Sequence, residues 1–485
     1  MESAFVIFGG TGDLSRRELY PALFNMHRRD KLNARVIACA RSDMTHEEFV
    51  AKATEFLHKW KATPKMATFL EKLEYLKVDP ESQESFLALR KKIGSPEAVV
   101  CDLAVPEAAF AKIIRGLEKA FPRQFRMEKL RLLVEKPFGH DLKSARRLNR
   151  LMQRVVGEQN IYRIDHFLAK EVVENLLIVR FANELFRAVW NRRHIECVQI
   201  SFSEQLGMEG RGEFYEKTGA LRDFVQSHIM QVLGLLAMEE PDCLEDKVIK
   251  DGKAAVLRRL QPLKRSDVVF GQYTSGMMGG KEVPGYTGEP NVSKRSKTET
   301  FVAMRAFVNT PRWRGVPFYI RTGKRMGHNS GVISIVFKSS STCAFGKAMP
   351  ESNVLQLVVN PEELFLLRFN LKTPQYRSNI KTFNMEYCYS CEHVNERRTP
   401  YEKIYDDSLR GVKTRFSRAD EVEYAWRWLE TLKAKPKLHK YAAGSRGPKA
   451  ADLLIEKTGR SWVDYSENIR VDFIYGAESG PAGKA

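Results

Sequence analysis

A chain of 485 residues with 43% hydrophobic and 29% charged content is too long for one ordinary core, so two or more globular domains are expected. Its 79 basic residues against 60 acidic ones leave a formal charge of +19, a balance that suits anionic partners, phosphorylated small molecules among them. The basic clusters, such as Arg28-Arg29 and Arg90-Lys91-Lys92, are short and lack interleaved aromatics, which argues against a nucleic-acid surface. No run approaches the roughly 18 apolar residues that cross a bilayer, and no leader precedes the first apolar run, so no membrane contact and a cytoplasmic location are expected.

Ala4-Phe5-Val6-Ile7-Phe8 is an uninterrupted apolar run, the pattern of a strand buried on both faces. Gly9-Gly10-Thr11-Gly12-Asp13-Leu14 follows, ahead of a helical pattern that ends near Arg28. Glycines at a strand-to-helix turn let the backbone approach a pyrophosphate, and the helix N-terminus faces its charge. The string is not the full G-x-G-x-x-G, and a glycine-rich turn without ligand is the alternative. The second strand, Arg35–Ala40, ends at Arg41. A cation there suits the 2′-phosphate of NADP, whereas a carboxylate takes the free ribose of NAD. Arg41, with Arg16 and Arg17 as helpers, favours NADP, and Asp43 close by keeps NAD open. Tyr75–Val78, Ala98–Cys101 and Leu130–Val134 continue the strand and helix alternation, which predicts a doubly wound parallel sheet. The last of them runs into Glu135-Lys136-Pro137-Phe138-Gly139, and Lys136 therefore lies past a strand's C-terminal end, where such sheets hold ligands.

Ile161–Ile164 is extended and passes through Asp165-His166-Phe167 into a helical pattern near Leu168. Arg163, Asp165, His166 and Lys170 thus meet at a strand-to-helix corner that suits a phosphate. His166 and Lys170 are four apart and share a face if the helix starts early. The bland alternative is a solvated turn with an Asp165–Lys170 ion pair.

After about residue 180 the alternation stops. Ile195–Phe202 reads as a strand leading to Glu204, and a long helical pattern from Gly219 to Met238 carries Asp223 and His228 among apolar residues. Being five apart, these two are not neighbours on a regular helix, and a core histidine is the alternative. As chemistry, a histidine takes a hydroxyl proton near neutral pH while a carboxylate sets its tautomer. Strand-like runs follow at Val268–Tyr273, Thr300–Phe307, Pro317–Thr322, Val332–Phe337, Leu355–Val359 and Leu364–Phe369, many alternating as one covered face requires. Gly276–Lys297 reads as a mobile loop, and helices return at Tyr401–Leu409 and Ala419–Leu432. Cys388 and Cys391 form a C-x-x-C without a second pair at zinc-ribbon spacing, so no metal is assigned and the cysteines read as reduced thiols.

The predicted fold is α/β plus α+β. A Rossmann-like dinucleotide-binding domain spans 1–165, and a larger domain on a mostly antiparallel sheet spans 166–485.

These stretches together resemble the glucose-6-phosphate dehydrogenase family nearly end to end. The resemblance rests on Gly9–Leu14, Glu135–Gly139, Arg163–Lys170, Glu209-Gly210-Arg211-Gly212, Arg222-Asp223 with His228, Arg321-Thr322-Gly323-Lys324 and Gly444-Ser445-Arg446-Gly447-Pro448. It implies oxidation of D-glucose 6-phosphate at C1 to 6-phospho-glucono-1,5-lactone with hydride transfer to NADP, the first step of the oxidative pentose phosphate pathway. It implies His228 as general base and Asp223 as the carboxylate that orients it. It assigns His166, Phe167 and Lys170 to the 6-phosphate end, Lys136 to the space between sugar and nicotinamide, and Glu204, Asp223 and Lys324 to sugar hydroxyls. Gly9, Gly10, Thr11, Gly12, Asp13, Leu14, Arg16 and Arg41 would hold the cofactor, and a homodimer or homotetramer built through the large sheet is implied.

Departures accompany the match. Phe167 and Ala169 stand where the family usually has Tyr and Gly, Asp102 where an aromatic is common, and Arg325–Asn329 where a second basic residue is usual. Some relatives hold a second, structural NADP; Arg446 and Asp452 match that site, but Ser330, Ser334 and Val358 stand where basic residues are expected. A nucleotide-sensing binding protein without turnover is the competing function, and acceptance of free glucose is the rival within the enzyme reading.

Overall fold

Apolar runs too short to form helices pair into a first sheet. The computed structural model describes residues 2–57, 64–339, 350–372, 380–393, 397–434 and 436–464. Strands β1 (Ser3–Phe8), β2 (Ala34–Ala40), β3 (Leu73–Lys77), β4 (Val99–Leu103), β5 (Leu130–Val134) and β6 (Ile161–Ile164) lie in the order β6-β5-β4-β1-β2-β3. All five pairings are parallel, and β1 and β4 bury every residue between two helical layers. This is the doubly wound order, and the chain reverses direction across the sheet between β1 and β4, where such folds open a crevice.

The second sheet is larger. Strands β7 (Ile195–Ser203), β8 (Val268–Thr274), β11 (Phe301–Phe307), β12 (Pro317–Gly323), β13 (Ser330–Phe337), β14 (Val354–Asn360), β15 (Leu364–Lys372), β16 (Ile380–Cys388) and β18 (Leu438–Ala442) lie in the order β16-β15-β14-β13-β7-β12-β11-β8-β18. Only β7–β12 and β8–β18 pair in parallel. Helices between residues 212 and 258 cover one face, and their apolar sides close the largest core, which includes Val225, Ile229, Leu233, Ile320 and Ile333.

Several local expectations are corrected. The segment Gly276–Lys297 is not a bare loop: β9 (Gly276–Met278) and β10 (Lys281–Val283) form a hairpin, and Tyr286 is fully buried with its hydroxyl donating to Glu216 at 2.6 Å. The strand β16 has no continuous apolar run, so its pattern does not announce it. Cys388 and Cys391 are joined as a disulfide rather than held as thiols; Cys39, Cys101, Cys197 and Cys243 are free, and Cys343 lies outside the described residues. The far end of the chain also crosses the 165/166 boundary. Strand β17 (Phe416–Ser417) adds antiparallel to β6, and Tyr401, Ile404 and Tyr405 of the helix Pro400–Arg410 pack into the core beside β1.

That return carries a buried acid. Asp102, near the end of β4, is wholly buried, and Tyr405 donates its hydroxyl to one carboxylate oxygen at 2.6 Å. The other oxygen has no partner, and burial pushes the carboxyl up to about 7. A carboxyl whose folded value lies above its unfolded one contributes stability below the unfolded value, and that contribution is lost as pH rises through the folded value. Asp102→Asn keeps an acceptor for Tyr405 and cannot ionise. It is expected to stabilise the fold by about 2–4 kcal/mol at pH 8, with the gap to the parent protein narrowing towards pH 4.5. Thermal melts of both proteins across that range check this.

Candidate active site

The turn after β1 is shaped for close backbone approach. The Gly9 and Gly10 amides both donate to the Cys39 carbonyl, at 2.8 and 3.0 Å, and Gly9 sits at φ +90°, which favours glycine. A methyl group on Gly9 would collide with the Ala104 carbonyl from the β4 loop. Ser15 Oγ donates to the Gly9 carbonyl at 2.9 Å and Tyr20 to the Gly10 carbonyl at 2.7 Å, so the turn is braced from behind.

In front of it lies a cleft of about 750 Å³ lined by Gly9, Thr11, Gly12, Arg41 and Ser42, among others. Asp43 pairs with Lys77 at 2.8 Å, and Arg41 lines the cleft together with Asp79, Glu81 and Lys112. Asp13 and Arg16 pair with each other at 3.0 Å on the exposed helix start, and Leu14 lines the neighbouring cleft. Glycine turn, open crevice and cation fit a dinucleotide with a 2′-phosphate.

The neighbouring cleft, about 710 Å³, shares Ala104, Val105 and Pro106 with the first and so runs into it. Lys136, His166, Phe167, Lys170, Glu204, Asp223, His228 and Lys324 all line it. Residues far apart in the chain meet here because the ends of β5, β6, β7 and β12 converge on the helix that carries His228.

That helix is unusual. Leu221–Ile229 is wound as a π-helix before regular α-helix resumes at Met230–Ala237. The wider i→i+5 turn brings Asp223 and His228 to one face, where an α-helix would have splayed them. Both reach Lys136: its Nζ lies 2.8 Å from His228 Nε2 and 3.3 Å from Asp223 Oδ1. Lys136 itself precedes Pro137 through a cis peptide bond.

The carboxylate on His228 is not the expected Asp223. Asp165 Oδ1 lies 2.6 Å from His228 Nδ1, and both side chains are almost fully buried. Asp223 is held instead by Lys136. Since a carboxylate only accepts, Nδ1 carries the proton and Nε2 presents its lone pair to the cleft. Phe167 stacks on the His228 ring at 4.3 Å, and the His166 ring meets its edge at 4.5 Å.

The octapeptide folds differently from either sequence reading. His166–Ala169 is a single 3₁₀ turn, and the helix Glu171–Phe181 starts only after Lys170. His166 and Lys170 therefore share the cleft but not a helix face. Asp165 is taken by His228, and Lys170 faces Glu363 at 3.8 Å. Arg163 turns away, fully buried, to Glu158 and Asn149.

Electrostatics follow from this packing. Burial pushes the His228 imidazole below the ordinary histidine value, with Asp165 opposing the shift. Burial alone would raise the Asp165 carboxyl, but the charge and hydrogen bond of His228 outweigh it and hold it at about 2. Burial, then His228 and Lys136, keep His166 well below its ordinary value. Burial also lowers the Lys170 ammonium, with Glu363 opposing. Lys324 donates to Glu204 at 2.7 Å in the cleft wall.

Three residues that sequence reasoning left without a role here are Asp165, Glu363 and Tyr401. Asp165 stood in the recognised octapeptide, but its partner is 63 positions away. Tyr401 lines the cleft and donates to Glu135 at 2.8 Å.

Arg325, at positive φ, leaves the cleft for Glu289 at 3.1 Å. The second nucleotide site does not fit. Arg446 and Arg321 both pair with Asp464, Ser334 is buried against Gln356, and Val358 is fully buried.

Comparison with known proteins agrees with this geometry. A family profile described as "Glucose-6-phosphate dehydrogenase, NAD binding domain" matches residues 6–175, and one described as "Glucose-6-phosphate dehydrogenase, C-terminal domain" matches residues 177–463. A glucose-6-phosphate 1-dehydrogenase of Gluconobacter oxydans is 38% identical over 96% of this chain and 98% of its own length. The crystal structure of that enzyme from Mycobacterium avium superposes with a TM-score of 0.86 at 33% identity, covering 96% of this chain and 99% of the other. A glucose-6-phosphate dehydrogenase solved in complex with glucose 6-phosphate gives 0.87 at 31% identity, again covering 96% and 99%. With both domain profiles covering nearly all of the described residues, this chain belongs to the glucose-6-phosphate dehydrogenase family.

Proposed function

We infer that the chain oxidises D-glucose 6-phosphate at C1 to 6-phospho-glucono-1,5-lactone, the first step of the oxidative pentose phosphate pathway. The observation that carries the reading is His228, with Nδ1 on Asp165 and Nε2 on Lys136, in a cleft that Lys170 and Lys324 also line. The C1 hydroxyl displaces Lys136 from Nε2, and Lys136 stays on Asp223. Nε2 takes the hydroxyl proton as hydride leaves C1, and Asp165 stabilises the imidazolium that results. NADP, when bound, supplies the hydride acceptor.

His166, kept neutral by burial, donates a hydrogen bond to the 6-phosphate while Lys170 supplies the charge. Phe167 packs beneath His228 and has no hydroxyl to offer. Glu204, Asp223 and Lys324 hold sugar hydroxyls. Gly9, Gly10, Thr11, Gly12, Asp13 and Leu14 form the pyrophosphate turn, with Arg16 at its mouth and Arg41 on the 2′-phosphate. Two copies pair through the larger sheet, as a homodimer or within a homotetramer.

The test is initial-rate reduction of NADP and of NAD, each with glucose 6-phosphate and with free glucose. Fast turnover confined to NADP with the phosphate ester supports the Arg41 and Lys170 assignments together. Comparable rates with glucose remove the phosphate argument, and comparable rates with NAD remove the Arg41 argument. Lys170→Ala is expected to raise the KM for glucose 6-phosphate by about 10- to 100-fold, with kcat changed less, because it removes a charged hydrogen bond made in the ground state. An effect on kcat alone would contradict that role.

A further inference from the structure

The helix Leu142–Val156 has two unlike faces. Ala145, Leu148, Met152 and Val155 pack into a core beneath the first sheet. The opposite face carries Lys143, Arg147, Arg150 and Arg154, all exposed. Spacings of four, three and four residues keep these cations in one row along the helix. The row is about 17 Å long at about 1.5 Å per residue. It lines a groove of about 880 Å³, together with Arg146 and with Arg115 from the helix Glu107–Ala120.

Little inside the groove balances this charge. Arg154 pairs with Glu118 at 3.0 Å and Arg146 with Glu423 at 3.2 Å. Arg115, Lys143, Arg147 and Arg150 have no ion-pair partner among the described residues. The two carboxylates that line the groove are engaged at the helix start. Asp141 accepts from the Ser144 amide at 2.6 Å, and Glu430 from the Leu142 amide at 2.8 Å. Like charges three and four residues apart repel and destabilise a helix, so the row does not serve the fold. The groove shares no residue with the cofactor cleft or the sugar cleft, so neither established ligand accounts for it.

We propose that this groove binds linear polyphosphate, its phosphates lying along the Lys143–Arg154 row with Arg115 beside them. Three of the four cations in the row are arginines, whose guanidinium forks match phosphate oxygens in pairs. A row of that length is matched by a chain of phosphates rather than by one. Its cations stand about 4.5–6 Å apart along the helix. An extended acidic peptide places same-side charges about 7 Å apart, too sparse for the row, whereas consecutive phosphates carry charge at closer intervals. Nucleic acid fits less well, because no Phe, Tyr or Trp lines the groove for a base to stack on. Since the groove lies apart from both catalytic clefts, the site holds the enzyme on the polyanion and leaves turnover as it is.

The experiment follows the fluorescence anisotropy of end-labelled linear polyphosphate titrated with the full-length protein, with NADP present to fill the cofactor cleft. Saturable binding is expected, and it should weaken as salt rises. With four cations neutralised, log Kd is expected to climb with log salt at a slope of about 3, taking about 0.7 per phosphate contact as for a single strand. The triple variant Lys143→Gln, Arg147→Gln, Arg150→Gln is expected to bind about 10- to 100-fold more weakly and to lower the slope by about 2, with kcat and both KM values unchanged. A control, Lys31→Gln, Lys52→Gln, Lys91→Gln, removes the same charge at exposed positions elsewhere and should bind like the parent. No binding, a groove variant that binds like the parent, or a control that loses as much would each overturn the proposal. Single-stranded DNA or polyglutamate that competes as well as unlabelled polyphosphate at equal charge would give the groove to another class of partner. ATP competing better than tripolyphosphate would overturn it in favour of a site that reads a base.

Discussion

Replacing His228 by Asn is expected to lower kcat by about 10²–10⁴-fold, the range that general base catalysis supplies, while the KM for glucose 6-phosphate stays within a few fold. Asn fills most of the imidazole's place and keeps a polar contact for Asp165, so the cleft is preserved and only the proton acceptor is lost. His166 and Lys170, the proposed phosphate-binding residues, are untouched. Rates and KM from steady-state assays check both halves; a kcat within tenfold of the parent would reassign the base. The parent enzyme also carries a pH signature. As the proposed base, His228 would act only with Nε2 unprotonated, and burial lowers its pKa from 6.5. The acid limb of kcat/KM is therefore expected to have its midpoint below 6.5.

Asp165→Asn is expected to cost nearly as much, about 10²–10⁴ in kcat. The upper end is the loss seen when the corresponding carboxylate of a Ser-His-Asp triad becomes an amide. An amide no longer compels the proton onto Nδ1 and no longer stabilises the imidazolium. Because the Asp165 charge raises the His228 pKa, its removal should also move the acid limb to still lower pH. That second readout separates positioning from damage to the fold: Asp165 also accepts from the Phe167 amide at 3.0 Å, a contact Asn can keep. An unchanged profile, or one shifted upward, would show that Asp223 rather than Asp165 governs the base.

The difference between those two carboxylates marks the boundary of what sequence reasoning reached. His228, Lys136, His166, Lys170, Glu204 and Lys324 could be named from motifs, and the structure brings all of them to one cleft. Their partners could not. On an α-helix His228 and Asp223 do not face each other, and motif resemblance alone paired them. The π-wound segment does place them on one face, but Lys136 then occupies the space between them. Glu363 arrived unannounced because it lies in the turn between β14 and β15, and nothing local links that turn to Lys170. Asp102 was visible as a departure, but Tyr405, the residue that accommodates it, comes 303 positions later.

By itself the sequence determined the parallel sheet, the glycine turn, most strands of the larger sheet and the identities of the cleft-lining side chains. These follow from residue periodicity and from short motifs, which act over a few positions and survive without knowledge of the rest of the chain. Only the tertiary structure decided which carboxylate holds His228, that the helix carrying it is wound as a π-helix, that the C-terminal segment returns to cover β4 and β6, and that Cys388 meets Cys391 at the end of β16. Each of these depends on which buried groups come within hydrogen-bond distance once the sheets have packed, and that choice belongs to neighbours in space that no local pattern records.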